Sequence, residues 1–235
     1  MGNLEKNIIG ITIGIRFARS FRIPDISGNI IDDILYSEKT PFGVKFFPKV
    51  QENSNREKTL YNPKTSEYLR INTDDLILGI EIDNDFQKKF DWLKTDVLNY
   101  FKKTLFQEYR IQNIRRVGII FSHKISKDKK LSEAVSLITG KALNDADNVS
   151  VSFSKKLVVT EALYRKGVND YKNTIYNFGE IKEAIYSALD YQYYYEPAIE
   201  DLRDCFVDKI FDDAKSFLEN NYYEWLSKYG NKEDK

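Results

Sequence analysis

Apolar and polar side chains alternate along Arg115 to Ile125, near the middle of this chain. Val117, Ile119, Phe121 and Ile125 fall on one side and Gly118, Ile120, Ser122 and Lys124 on the other, the pattern of a buried central strand. The same alternation marks Ile8 to Phe17, where Ile9, Ile11, Ile13, Ile15 and Phe17 form an apolar face opposite Gly10, Thr12 and Gly14. The two strands share a motif, with Gly14-Ile15-Arg16-Phe17 matching Gly118-Ile119-Ile120-Phe121. Each copy precedes a predicted helix, antiparallel strands and a long amphipathic helix, so the order of elements repeats too. Gly10 and Gly14 on one face predict a helix lying close against it.

The first such helix is expected over Pro24 to Tyr36. The stretch Gly43 to Phe47, an exposed polar loop from Gln51 to Lys58 and short strands ending in Leu76 to Ile82 follow, divided by the turn residues Asn62-Pro63 and Asn72-Thr73-Asp74-Asp75. At Phe86 the period changes to about 3.6. Phe86, Phe90, Leu93, Val97, Phe101 and Leu105 then make one helical stripe after a cap at Asn84 or Asp85. Past the central strand, a helix is expected at Asp128 to Thr139 and a strand at Val149 to Ser154. Leu157 to Tyr164 and Tyr171 to Phe178 read as a hairpin. A tyrosine-rich strand spans Ala184 to Tyr195, and a final helix runs from Ile199 to Tyr229 with Ile199, Leu202, Phe206, Ile210, Phe217 and Trp225 inward. The expected fold is α+β: antiparallel sheet covered on one face by long helices, with a duplicated strand-helix-strands-helix unit. Residues 1–110 and 111–230 would form two halves sharing one core, and 231–235 a tail.

At 235 residues the chain is long enough for a substantial core. Its 36 Lys and Arg balance 36 Asp and Glu, so attraction to a polyanion must come from a local patch. The lone Cys205 excludes an internal disulfide and a multi-cysteine metal site. No run approaches the roughly 20 apolar residues of a membrane span, and the first residues lack a signal-peptide pattern. A cytoplasmic, membrane-free protein is expected.

Candidate chemistry is sparse. His123 is the single histidine and cannot by itself build a zinc or iron site. Gly140-Lys141 lacks the earlier glycine and the Ser or Thr of a phosphate-binding loop. Asp170, Glu180 and Lys182 follow the order of a metal-dependent nuclease, a weak pattern in a chain that is 31% charged. No cofactor is expected. Two binding readings remain. Tyr191, Tyr193, Tyr194, Tyr195 and Trp225 are candidates for a protein or self-association interface. Arg115, Arg116, Lys124, Lys155, Lys156, Arg165 and Lys166, with tyrosines close in sequence, are candidates for a basic, aromatic platform that stacks single-stranded nucleic acid.

Ile15-Arg16-Phe17, the central Val117 to His123 strand and Leu189-Asp190 give the chain a resemblance to an uncharacterised, sporadically distributed bacterial family. That family has an x-Arg-Phe strand, a central Ile-Gly-Leu-Arg-Tyr-x-Asn strand and a late Leu-x-Ile-Asp strand. Ile120 stands where the family has arginine and His123 where it has asparagine, so no role of that pair carries over. The sporadic distribution implies an accessory component of a multi-protein system such as antiviral defence. The first expectation is therefore a non-enzymatic interaction subunit; the alternatives are a nucleic-acid sensor and, last, a nuclease.

Overall fold

In a computed structural model describing residues 8–54, 56–83, 85–125, 148–159, 165, 168–181 and 184–224, alternation at period two builds one antiparallel sheet. Its strands are β1 (Ile8–Phe17), β2 (Lys49–Ser54), β3 (Glu57–Tyr61), β4 (Tyr68–Asn72), β5 (Asp75–Glu81), β6 (Ile114–Ile125), β7 (Asn148–Val158), β8 (Tyr171–Ile181) and β9 (Ala184–Ile199). They lie in the order β2-β3-β4-β5-β1-β6-β9-β8-β7. The fold is α+β. Helix α1 covers Arg22–Tyr36. A second helical run comprises α2 (Phe86–Trp92), α3 (Leu98–Tyr100) and α4 (Phe106–Glu108), joined by π-helical turns at Leu93–Val97 and Phe101–Leu105. Helix α5 is Val207–Phe217.

The seam is the β1–β6 pair, where Gly14 stands directly opposite Gly118, Ile13 opposite Ile119 and Ile15 opposite Val117. From this seam the sheet extends as β5-β4-β3-β2 on one side and β9-β8-β7 on the other. Ile11, Ile13, Ile15, Leu76, Leu78, Val117, Ile119, Phe121, Leu189 and Tyr191 are buried and share one side by register. Aromatic contacts carry this side to the helices: Phe90 of α2 lies 6.3 Å from Phe121 and 6.1 Å from Phe211 of α5, and Phe17 lies 5.9 Å from Phe106. The six predicted stripe residues from Phe86 to Leu105 are all buried. Asp85 is the cap, accepting a hydrogen bond from the Lys88 amide.

Several boundaries differ from expectation, each for a local reason. Ile9 is 38% exposed while Ile8 is buried, because a register shift separates Ile8 from Gly10 and a bulge flips side chains to the other face. The expected loop at Gln51 to Lys58 is instead the β2–β3 hairpin; β2 is exposed along its whole length, so no apolar alternation marks it. Gly43 to Phe47 contains a turn. β7 continues through Lys155 and Lys156 to pair Val158 with Tyr171, because an outer strand need not bury those lysines. β9 passes Glu196-Pro197 and reaches Ile199. The final helix is interrupted: a 3-10 turn at Leu202–Cys205 precedes α5, and between them Phe206 has φ 48° and is 38% exposed. The helix expected at Asp128 to Thr139, Trp225 and the 231–235 tail lie outside the described residues. A Cβ at Gly14 would meet nothing within 4 Å, so among the described residues no helix packs closely on Gly14 as the glycines of that face predicted.

Candidate nucleic-acid interface

Side chains directly opposite each other in an antiparallel pair stand on the same face, and Arg16 faces Arg116 across the seam. Arg116 in turn faces Tyr194 of β9, and Tyr194 faces Tyr171 of β8. These residues belong to the side opposite Ile15, Val117 and Tyr193. They form a row: the Arg116 guanidinium sits 5.7 Å from the Tyr194 ring centre, Tyr194 and Tyr171 stack at 4.5 Å and 9°, and the Lys156 ammonium lies 3.8 Å from the Tyr171 ring. Ring faces in the row are turned toward one another across the strands. The Tyr194 and Tyr171 rings are thus engaged by one another, by Arg116 and by Lys156.

Tyr194 donates through its hydroxyl to Gln192 at 2.8 Å, and Gln192 donates to Asp190 at 2.5 Å. Burial raises the Asp190 carboxyl, while Gln192 and Arg116 pull it back. At the opposite end, Asp75 receives Arg16 at 3.8 Å and Arg70 at 3.7 Å, and Asn72 holds Asp75 at 2.7 Å. Both arginine contacts are longer than a hydrogen bond. Beside them an open cleft of about 390 Å³ is lined by Arg16, Phe17, Arg19, Asp74 and Arg115. Its walls are tied by backbone bonds: Phe17 donates to Asp74, Ala18 to Asn113 and Ser20 to Thr73, at 3.0, 2.9 and 2.7 Å.

The predicted basic residues separate. Arg115 and Arg116 reach the arginine end of the sheet, Lys156 closes the tyrosine row, and Lys124 is exposed on the row's face further along β6. Lys155 points to the other face, as neighbours on a strand must. Arg165 is committed elsewhere. It forks onto Asp170, donates to the Pro197 carbonyl at 2.7 Å and lies 5.6 Å from the Tyr195 ring. Lys166 lies outside the described residues.

The predicted tyrosine interface separates too. Tyr191, Tyr193 and Tyr195 are 3%, 0% and 5% exposed, so they fill the core of this chain; of the described tyrosines in that group, only Tyr194 stands on the open face. Tyr193 donates to Asp170 at 3.2 Å and Tyr195 to the Cys205 carbonyl at 2.5 Å. Asp170, 1% exposed, also accepts the Glu196 amide at 2.8 Å. It is a structural anchor. Glu180 sits near the far end of β8, about 30 Å along the strand from Asp170, so the two acids of the nuclease pattern do not converge; Lys182 lies outside the described residues. Among those residues no group of three His, Cys, Asp or Glu could hold a metal ion.

His123 is buried, between Tyr222 at 5.4 Å and Tyr223 at 5.7 Å, and burial lowers its pKa to about 4. Burial pushes the Cys205 thiol up to about 12. Both are core groups. Arg16 and Arg19 escaped the sequence-based candidate set because only the pairing of β1 with β6, and the path of the chain just past β1, bring them to Arg115 and Arg116. The available signal was Arg16 itself, which ends the strand that matches the central one. Neither protein-family profiles nor curated proteins give a match, and the reading of this face rests on its geometry.

Proposed function

We propose that this chain is a non-enzymatic accessory protein that binds single-stranded nucleic acid by its phosphates across the open face of the sheet. The observation that carries the reading is the pairing of Arg16 with Arg116. Like charges in direct cross-strand register cost stability, and Arg116 has no ion pair among the described residues. An anionic ligand turns that cost into binding. Arg115, Lys124 and Lys156 extend the positive field. In this proposal the two halves are copies of one strand-helix-strands-helix unit, supported by the Gly14–Gly118 seam and the matching strand order outward from it. The described helices pack on the buried side, and in this proposal the other side takes the ligand. A bacterial defence system is the context that the family resemblance implies, and the single cysteine suits a cytoplasmic setting.

Fluorescence anisotropy with labelled single-stranded RNA and DNA tests the reading. Affinity should fall at least tenfold between 50 and 200 mM salt, about what release of several counterions produces, and at least tenfold in an Arg16→Ala, Arg116→Ala variant. Binding that ignores salt, or no binding, removes the proposal. A second reading keeps a protein partner but moves it to β7. That strand is the outer edge of the described sheet, and Leu157 and Val158 are 41% and 68% exposed on it, a geometry open to strand addition. Light scattering that shows a monomer at all concentrations removes self-association by this edge.

A further inference from the structure

Resting on the nucleic-acid reading, we infer that the cleft at the arginine end of the sheet recognises a terminal phosphomonoester, the phosphorylated end of the bound strand. The cleft presents three guanidiniums, those of Arg16, Arg19 and Arg115, against the single carboxylate of Asp74. A phosphomonoester carries close to two negative charges and three strong acceptor oxygens, whereas each internal diester carries one charge. The surplus of cation in one small cleft matches the former.

The guanidiniums have donors to spare. Arg16 and Arg19 approach Asp75 and Asp74 at 3.8 and 3.6 Å with side chains 48% and 61% exposed, beyond the 2.7–3.2 Å of a made hydrogen bond, and Arg115 has no ion pair among the described residues. Forked N–H groups suit a phosphate end, because two oxygens can be held in parallel. The volume, about 390 Å³, is in the range of small-ligand clefts. Its walls are held in place by the Phe17, Ala18 and Ser20 backbone bonds, so little ordering is needed on binding.

Position supplies the second argument. The cleft lies where β1 ends and β6 begins, at the rim of the sheet, while the Arg116, Tyr194, Tyr171 and Lys156 row leads away from it across β6, β9, β8 and β7. A strand anchored at the rim by its end would cross that row with its following phosphates. The two sets of residues therefore divide the work: the cleft reads the end and the row holds the chain.

The test compares oligonucleotides of one sequence ending in 5′-phosphate, 3′-phosphate or only hydroxyls, with adenosine monophosphate as a separate probe. One phosphorylated end should bind about tenfold tighter than the hydroxyl-ended strand. The difference should vanish in an Arg19→Ala, Arg115→Ala variant, while an Arg116→Ala variant weakens all strands alike. Both changes are at partly or fully exposed positions, and thermal melting checks that each variant is folded. Equal affinity for all ends overturns the inference and leaves the nucleic-acid reading standing. Binding of adenosine monophosphate, lost with Arg19 and Arg115, without binding of any strand keeps the phosphomonoester site and removes the strand. Failure of every probe removes both.

Discussion

At the scale of the residue, the polar groups inside this protein are settled by what surrounds them. Asp170 joins Arg165, Tyr193 and the Glu196 amide, so the tyrosine that reads from sequence as a docking residue is half of a buried hydrogen bond. A charge introduced at Tyr193 would act on folding before it could act on any interface. His123 yields a pH prediction. Its folded pKa is about 4, against an ordinary 6.5, because burial disfavours the charged ring. The unfolded chain then binds a proton below pH 6.5 that the folded chain refuses until about pH 4. Stability contributed by the neutral ring is complete above the unfolded value and is lost as pH falls through that window. Urea unfolding should show about 2 kcal/mol lost between pH 8 and pH 5 from this group. A His123→Phe variant should lack that part of the pH dependence; an unchanged slope would show that the ring does not titrate in this way.

At the scale of the element, period decides face and register decides neighbour. The helical stripe from Phe86 to Leu105 was legible because apolar residues at 3.6 spacing have one way to be buried, and it holds even across two π-helical turns. The β2 strand and the lysines of β7 were not legible, because an edge strand with two wet faces carries no alternating signal. Glycines show the same divide. A Cβ at Gly79 would sit 2.3 Å from the Tyr68 ring, whereas one at Gly14 meets nothing within 4 Å. Gly79→Ala should therefore cost about 1–3 kcal/mol by overpacking, and Tyr68→Ser in the same chain should recover most of it. Gly14→Ala should be neutral or gain up to about 1 kcal/mol by restricting the unfolded chain. Denaturant midpoints of the four proteins measure this; equal losses at both glycines would refute the crowding of Gly79 by Tyr68.

At the scale of the whole molecule, both halves contribute to one cluster of buried side chains, from Ile8 to Tyr222, and their central strands hydrogen-bond to each other. Unfolding should accordingly be a single transition, with far-ultraviolet and near-ultraviolet circular dichroism giving one midpoint; two separated transitions would mean that the halves are independent domains. No described helix is long and apolar enough to cross a membrane. What the sequence by itself determined was the class of fold, the two strands that carry Gly-Ile-x-Phe, the main helical stripe and the absence of bulk charge, since each is written in local spacing or composition. The tertiary structure alone decided that Arg16 meets Arg116, that three of four adjacent tyrosines are core, and that Asp170 is an anchor far from Glu180. Those facts depend on pairing between residues up to 100 positions apart, for which a single chain of letters carries no register.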